Sequence, residues 1–387
     1  MPTEVFTCAR PHPDIENHVV RRGVTYYVTS PEGGINAQTG VILAIEGYGS
    51  RPCSVYAGKL RGYLAAKYNC LCVTVGYFGQ QVKFFETLVP AADFFVNLSR
   101  YHGVSITAPK TSDMTGLVLN LIKILADSGI TELHPSCRVV RQGAEYQSFG
   151  LLPAIDHLQV LHEVLLRYPV NRARIYAFGT SYGGYIALLL GKFAPATFRM
   201  IVDNSGFTEV NSDVFGNSRF TTQMGGLKLI THEPMVWSSE PDDPHYFAPH
   251  HALIRDVSVS DHLRPTSAHY YCYHYEGDTV APLATKLRFT EAMRTVAPVA
   301  LTVVGEGDID GSLFKEATHG MRASLRQLFD RSHAAYCAAG ADGAESPVTD
   351  FDQGTVYDFR CAGFVYRFRY SVASGVAVDM DRVAAFP

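Results

Sequence analysis

Short, uninterrupted apolar runs alternate along the chain with longer amphipathic stretches. Residues 41–45 (Val-Ile-Leu-Ala-Ile) and 70–75 (Cys-Leu-Cys-Val-Thr-Val) lack the polar alternation of a half-exposed strand, which predicts strands covered on both faces. Similar runs predict strands at 174–178, 200–203, 269–275 and 300–304. Between them, helical spacing predicts helices over 56–67, 151–167, 182–193, 283–294 and 320–329. This alternation predicts an α/β class, with a mostly parallel central sheet and helices on both faces.

Two segments interrupt the plan. Residues 84–147 hold one convincing helix, 114–126, in otherwise loop-like sequence, and residues 207–265 are aromatic and rich in Pro, His and Asp. Connections of such length are usually covers or functional insertions. A small-residue stretch at 338–344 reads as a linker, followed by short strands at 356–359, 364–370 and 376–378. The expected organisation is a catalytic domain over 1–335, with lid-type insertions at about 84–147 and 207–265, then a linker and small β-rich appendage over 336–387.

Composition narrows the function. With 47% apolar and 18% charged residues in 387, disorder is excluded, and a net charge of −4 provides no general basic field for nucleic acid. The eight cysteines are scattered without a Cys-x-x-Cys pair and read as buried thiols. The N-terminus has no basic segment followed by an apolar run, and no stretch reaches the roughly 20 apolar residues of a membrane span, so a cytoplasmic protein is expected. In that compartment the glycosylation-like Asn97-Leu98-Ser99 has no role.

The stretch from Arg174 to Leu190 reads strand, tight turn, helix, and its turn, Gly179-Thr180-Ser181-Tyr182-Gly183, matches G-x-S-x-G. Small flanking residues allow a sharp turn that lifts a serine hydroxyl above the carboxyl edge of the sheet. A phosphate loop would need Gly-Lys-Ser/Thr or G-x-G-x-x-G, whereas Gly183-Gly184 is followed by Tyr185. Ser181 is the candidate nucleophile, with the Tyr182 amide at the helix start as an oxyanion donor.

A serine nucleophile requires a base and a group to orient it. In hydrolases with this turn, acid and histidine follow in that order after later strands. Asp278, in the turn Glu276-Gly277-Asp278-Thr279-Val280-Ala281-Pro282, is the candidate acid, with Glu276 and Asp203 as alternatives. Only His319 and His333 lie beyond it, and His319, in a loop before a helix, is the candidate base. The turn Glu46-Gly47-Tyr48-Gly49-Ser50 is placed to supply a second oxyanion donor, through an amide near Tyr48 or Gly49 or through the Tyr48 hydroxyl.

Other polar clusters carry less. Asp308 and Asp310 do not complete a calcium-loop pattern. His245, His250 and His251, with Asp242 and Asp243, match no zinc spacing, and Trp237, Tyr246 and Phe247 belong to the aromatic cover.

From Gly179 to Tyr185 the chain resembles the α/β-hydrolase superfamily, and Ser181-Tyr182-Gly183-Gly184-Tyr185 is similar to the catalytic domain of prolyl oligopeptidase relatives. The resemblance runs over about 41–328, and it implies acid and histidine roles for the Asp278 and Thr318-His319-Gly320 loops and an oxyanion role for the Tyr48 loop. The propeller usual in those peptidases is not expected here, since the ~40 residues before 41 are too few for its blades, and peptidase specificity is not implied. The whole chain, including residues 145–150, also resembles an uncharacterised bacterial domain-of-unknown-function family of this fold.

The expected activity is therefore that of a serine hydrolase, cleaving an ester through an acyl-enzyme on Ser181, His319 and Asp278. Acyl transfer to a sugar or other alcohol, peptidase activity and a non-catalytic scaffold are the alternatives. No cofactor or metal is expected. The expected partner is a small-molecule or glycan ester, with no nucleic acid and no membrane span; a homo-oligomer stays open.

Overall fold

The computed structural model describes residues 2–80, 89–90, 96, 98–100, 103, 120, 124–125, 127–138, 145–210, 219–224, 227–232, 236–341 and 348–383. The chain divides into two compact units, one formed by 1–80, 148–210 and 248–387, the other by 81–147 and 211–247.

The first unit is built on eight strands: β1 (Thr3–Cys8), β2 (Val24–Thr29), β3 (Gly40–Ile45), β4 (Cys70–Val75), β5 (Ile175–Thr180), β6 (Met200–Asn204), β7 (His269–Tyr275) and β8 (Val299–Val304). Their order is β1-β2-β4-β3-β5-β6-β7-β8, with β1 and β2 antiparallel and the rest parallel from β4 onward. This is the α/β-hydrolase fold, as the strand-turn-helix motif implies. The helices are α1 (Val55–Tyr68), α2 (Leu151–Arg167), α3 (Tyr182–Phe193), α4 (Pro249–Arg255), α5 (Leu283–Met293), α6 (Leu325–Ala338) and a short α7 (Asp350–Gln353).

Alternation along the parallel strands assigns the two faces. Ile42, Ala44, Tyr176, Phe178, Met200, Val202, Tyr271 and Tyr273 pack with Leu60 and Leu64 of α1 and Leu328 and Phe329 of α6. The intervening residues, such as Leu43, Ala177 and Ile201, are equally buried on the opposite face. Both faces are covered, which is why these strands are apolar throughout.

The N-terminal pair β1 and β2 was not foreseen from the apolar runs. Strand β2, Val-Thr-Tyr-Tyr-Val-Thr, alternates between buried and half-buried positions, and β1 is largely exposed, so neither presents a continuous run. Helix α6 starts at Leu325 rather than near residue 320, because Gly320, Met321 and Arg322 take φ of 73°, 53° and 38°, incompatible with a right-handed helix. Most of the helix expected at 114–126, and Asn97, lie outside the described residues. Cys8, Cys70, Cys72, Cys272 and Cys361 are buried free thiols, and Cys53 and Cys337 are exposed ones.

The C-terminal strands β9 (Val356–Cys361), β10 (Phe364–Ser371) and β11 (Gly375–Arg382) form an antiparallel sheet packed within the first unit. Phe368 stacks on Phe193 of α3 at 4.4 Å, and the Tyr370 hydroxyl donates to the Phe193 carbonyl. The N-terminal segment enters the same packing: the Val378 amide donates to His12 Nε2, and Arg21 Nη2 donates to both carboxylate oxygens of Asp156 in α2.

Glu16 lies with Arg255 of α4 in a fully buried ion pair, with Nη1 2.8 Å from Oε1, and the Tyr366 hydroxyl of β10 donates to the same carboxylate. In the second unit a four-stranded sheet runs in the order Val89–Pro90, Glu132–Arg138, Leu227–His232, Arg219–Met224. Also within it, Trp237 packs edge-on against Phe247 at 5.1 Å and Tyr146 at 5.7 Å, and its indole N–H donates to the Gln147 carbonyl.

Replacing one member of the Glu16–Arg255 pair leaves a buried charge uncompensated. Glu16→Ala should therefore lower unfolding free energy by about 3–5 kcal/mol, read from urea denaturation. Asp358→Ala, which breaks the partly exposed pair with Arg367, should leave the midpoint unchanged. At the end of β3, burial pushes the Glu46 carboxyl up from 4.5 to about 7, against the opposing effect of Arg61. Glu46 then holds its proton more tightly folded than unfolded. Its stabilising contribution is complete below the unfolded value and disappears as pH rises through about 7. Glu46→Gln should lose less stability than wild type between about pH 5 and pH 8, and parallel curves would refute the assignment.

Candidate active site

The parallel strands end along one edge of the sheet, where open α/β sheets present their ligands. At the end of β5 the chain turns through Ser181, whose φ of 55° and ψ of −124° lie outside the ordinary regions, and enters α3 immediately. Only glycine permits the surrounding contacts: a Cβ on Gly179 would lie 2.1 Å from the Gly183 carbonyl oxygen, and one on Gly183 2.3 Å from that of Ile45. The Ser181 amide donates to the Asn204 carbonyl at 2.7 Å, fixing the turn to β6. Although Ser181 occupies the N-cap position of α3, its side chain makes no capping bond. Its Oγ is instead 2.7 Å from His319 Nε2.

His319 comes from the loop between β8 and α6. Asn204 Nδ2 donates to the Gly320 carbonyl and to Thr180 Oγ1, tying that loop to the end of β5, and the Phe207 ring lies 6.1 Å from the imidazole. On the far side His319 Nδ1 is 2.7 Å from Asp278 Oδ2. The Asp278 side chain is buried, and its Oδ1 accepts from the Val280 and Ala281 amides, each at 2.9 Å. Burial alone would raise this carboxyl, but hydrogen bonds from His319 and the two amides outweigh it and hold Asp278 below its ordinary value. An ionised carboxylate only accepts. Nδ1 of His319 therefore carries the proton, and the Nε2 lone pair meets the Ser181 hydroxyl.

The alternative partners lie elsewhere. Asp203 is paired with Lys286 of α5, both fully buried, and also accepts from the Gly206 amide. Glu276 is exposed, and its side chain lies near Gly305. His333 is inside α6, its ring 4.5 Å from that of Tyr68.

The Glu46–Ser50 turn borders Ser181. A Cβ on Gly47 would approach the Thr180 carbonyl at 3.2 Å and the Ser181 Cβ at 3.8 Å. The Ser50 amide closes the turn onto the Gly47 carbonyl, and Gly49 has a φ of 75°. Tyr48 packs edge-on against Tyr182, with ring centroids 6.1 Å apart. The Tyr182 hydroxyl accepts from the Gly150 amide, and Tyr182 is the first residue of α3. Sequence reasoning passed over Asn204. Its signal is a polar side chain at the last position of an otherwise apolar strand, Met-Ile-Val-Asp-Asn.

The other polar clusters have local partners. Asp308 accepts from the Gly305 amide, and Asp310 from those of Ser312, Leu313 and Phe314. His250 stacks on Phe364 at 3.9 Å, His251 Nδ1 accepts from the Ala248 amide, and Asp243 accepts from the His245 amide. Among the described residues, no group of three or more His, Cys, Asp or Glu side chains is placed to hold a metal ion. No described helix is long and apolar enough to cross a membrane.

The chain is similar in structure to esterase 2 of Thermogutta terrifontis phosphorylated by paraoxon, with a TM-score of 0.48 and 10% identity over 88% of this chain and 95% of that one. It is also similar to the Pyrococcus horikoshii acylaminoacyl peptidase, with a TM-score of 0.46 and 16% identity over 86% of this chain and 40% of the peptidase. Est1E from Butyrivibrio proteoclasticus gives a TM-score of 0.43 and 11% identity over 82% of this chain and 95% of that one. A search of curated proteins finds no match. The family model described as "Protein of unknown function (DUF2920)" matches residues 107–369, well over half the chain, and the chain therefore belongs to the DUF2920 family.

Proposed function

We propose that this chain is a serine hydrolase that cleaves a small-molecule ester through an acyl-enzyme intermediate on Ser181. The observation that carries the reading is the continuous hydrogen-bond chain from Ser181 Oγ through His319 to Asp278, with both links at 2.7 Å. Neither link is explained by capping or surface solvation. The strained backbone of Ser181, at the sheet edge, supports the same reading.

In the proposed reaction, His319 Nε2 takes the Ser181 proton as Oγ attacks the carbonyl carbon. Asp278 keeps the imidazole in the required tautomer and stabilises its protonated form. The developing oxyanion is held by the Tyr182 amide, at the positive end of α3, and by the Tyr48–Gly49 turn. Collapse of the tetrahedral intermediate expels the alcohol, which receives the proton from His319. Water, deprotonated by the same imidazole, then attacks the acyl-enzyme and releases the acid while Oγ regains its proton.

A fluorophosphonate probe should label the wild-type protein on Ser181, with mass spectrometry locating one adduct there. Ser181→Ala should abolish it; undiminished labelling of that variant would overturn the assignment. With short acyl esters, Asp278→Asn should lower kcat by about 10³–10⁴ while the fold persists, because an amide donor favours the wrong imidazole tautomer. A kcat within tenfold of wild type would remove Asp278 from the mechanism.

A further inference from the structure

Strand β7 reads His-Tyr-Tyr-Cys-Tyr-His-Tyr. Tyr271 and Tyr273 join the core beneath α1 and α6, so Cys272 and His274 face the opposite layer, where Lys286 and Asp203 are paired. After β7 the chain turns back through 276–282, and His274 Nε2 donates to the Ala281 carbonyl at 2.6 Å. The same nitrogen is 3.8 Å from Asp278 Oδ2, the oxygen that meets His319. Ala281 in turn donates its amide to Asp278 Oδ1. The imidazole thus grips one end of a residue whose other end grips the carboxylate.

With the proton on Nε2, His274 Nδ1 is an acceptor, and it is buried without a hydrogen-bond partner among the described residues. Burial, reinforced by Lys286, lowers the imidazole pKa; Asp203, Asp278 and the Ala281 carbonyl oppose this. An unpaired buried nitrogen costs stability that an aliphatic side chain at this strand position would avoid. Packing alone therefore does not account for histidine here.

We propose that His274 is a positioning residue for the chemistry at Ser181: through Ala281 it fixes the Asp278 turn so that Oδ2 stays on His319 Nδ1. This rests on the serine-hydrolase reading. Loss of the His274 N–H frees the turn, and a small displacement of Asp278 misaligns the base, which lowers the rate of attack without altering substrate binding.

The test compares His274→Met, which keeps bulk and removes the donor, with His274→Gln, whose amide N–H reaches towards the Ala281 carbonyl. The second-order rate of fluorophosphonate labelling at Ser181 is measured with kcat and KM on a short acyl ester, and unfolding midpoints are read alongside. The methionine variant should lose about 10–100-fold in labelling rate and kcat with KM within about twofold, and glutamine should return both rates to within about threefold of wild type. Wild-type rates in a folded His274→Met protein would overturn the proposal. So would equal losses in both variants that track their unfolding midpoints. Should the methionine variant not fold, His274→Asn, too short to reach Ala281, takes its place with the same expectation. A wild-type protein unlabelled at Ser181 would instead refute the parent reading.

Discussion

Helix α3 approaches β3 and β5 so closely that the backbone atoms of Gly183 lie against the Ile45 carbonyl and those of Gly179 against Gly183. The conformation of Ser181 depends on that approach. All twelve residues of α3 are buried, so the helix is apolar around nearly its whole circumference and is held in place by neighbours on every side. Its first turn cannot retreat to relieve Ser181. The resulting backbone strain is borne by the packing of the sheet and projects the hydroxyl towards the loop carrying His319.

Two carboxylates on the α3 side of the sheet edge illustrate how environment separates roles. Asp203, at the end of β6, is neutralised by Lys286 and spends an oxygen on the Gly206 amide. Asp278, after β7, is held at Oδ1 by two backbone amides, while its second oxygen meets His319. An acid committed to a lysine cannot orient an imidazole; one held by neutral donors retains its full charge for that purpose.

Much of this was legible in the sequence where local chemistry decides the structure. Buried strands such as 70–75 announce themselves by uninterrupted apolar composition, and the elbow by glycines on either side of Ser181. The order Ser181, Asp278, His319 was readable because hydrolase loops follow the strands in sequence. The antiparallel β1–β2 pair was not, since a half-exposed strand next to a polar one leaves only a weak signal. Nor was the late start of α6: three consecutive positive φ values after His319 are imposed by the loop's packing and override helix propensity. His274 looked like one more residue of an aromatic strand, because nothing in Tyr-His-Tyr discloses that the chain returns to place Ala281 above it.

The Glu16–Arg255–Tyr366 contact joins three segments separated by 239 and 350 positions from Glu16. The Tyr366 contact cannot form until β10 has been synthesised. Until β10 emerges, Glu16 and Arg255 lack one wall of their enclosure, and Phe193 lacks the ring that stacks on it. Helix α3 is thus completed by residues far along the chain, Tyr370 lying 177 positions beyond Phe193. The C-terminal sheet covers the end of α3, and its removal would leave Phe193 facing water.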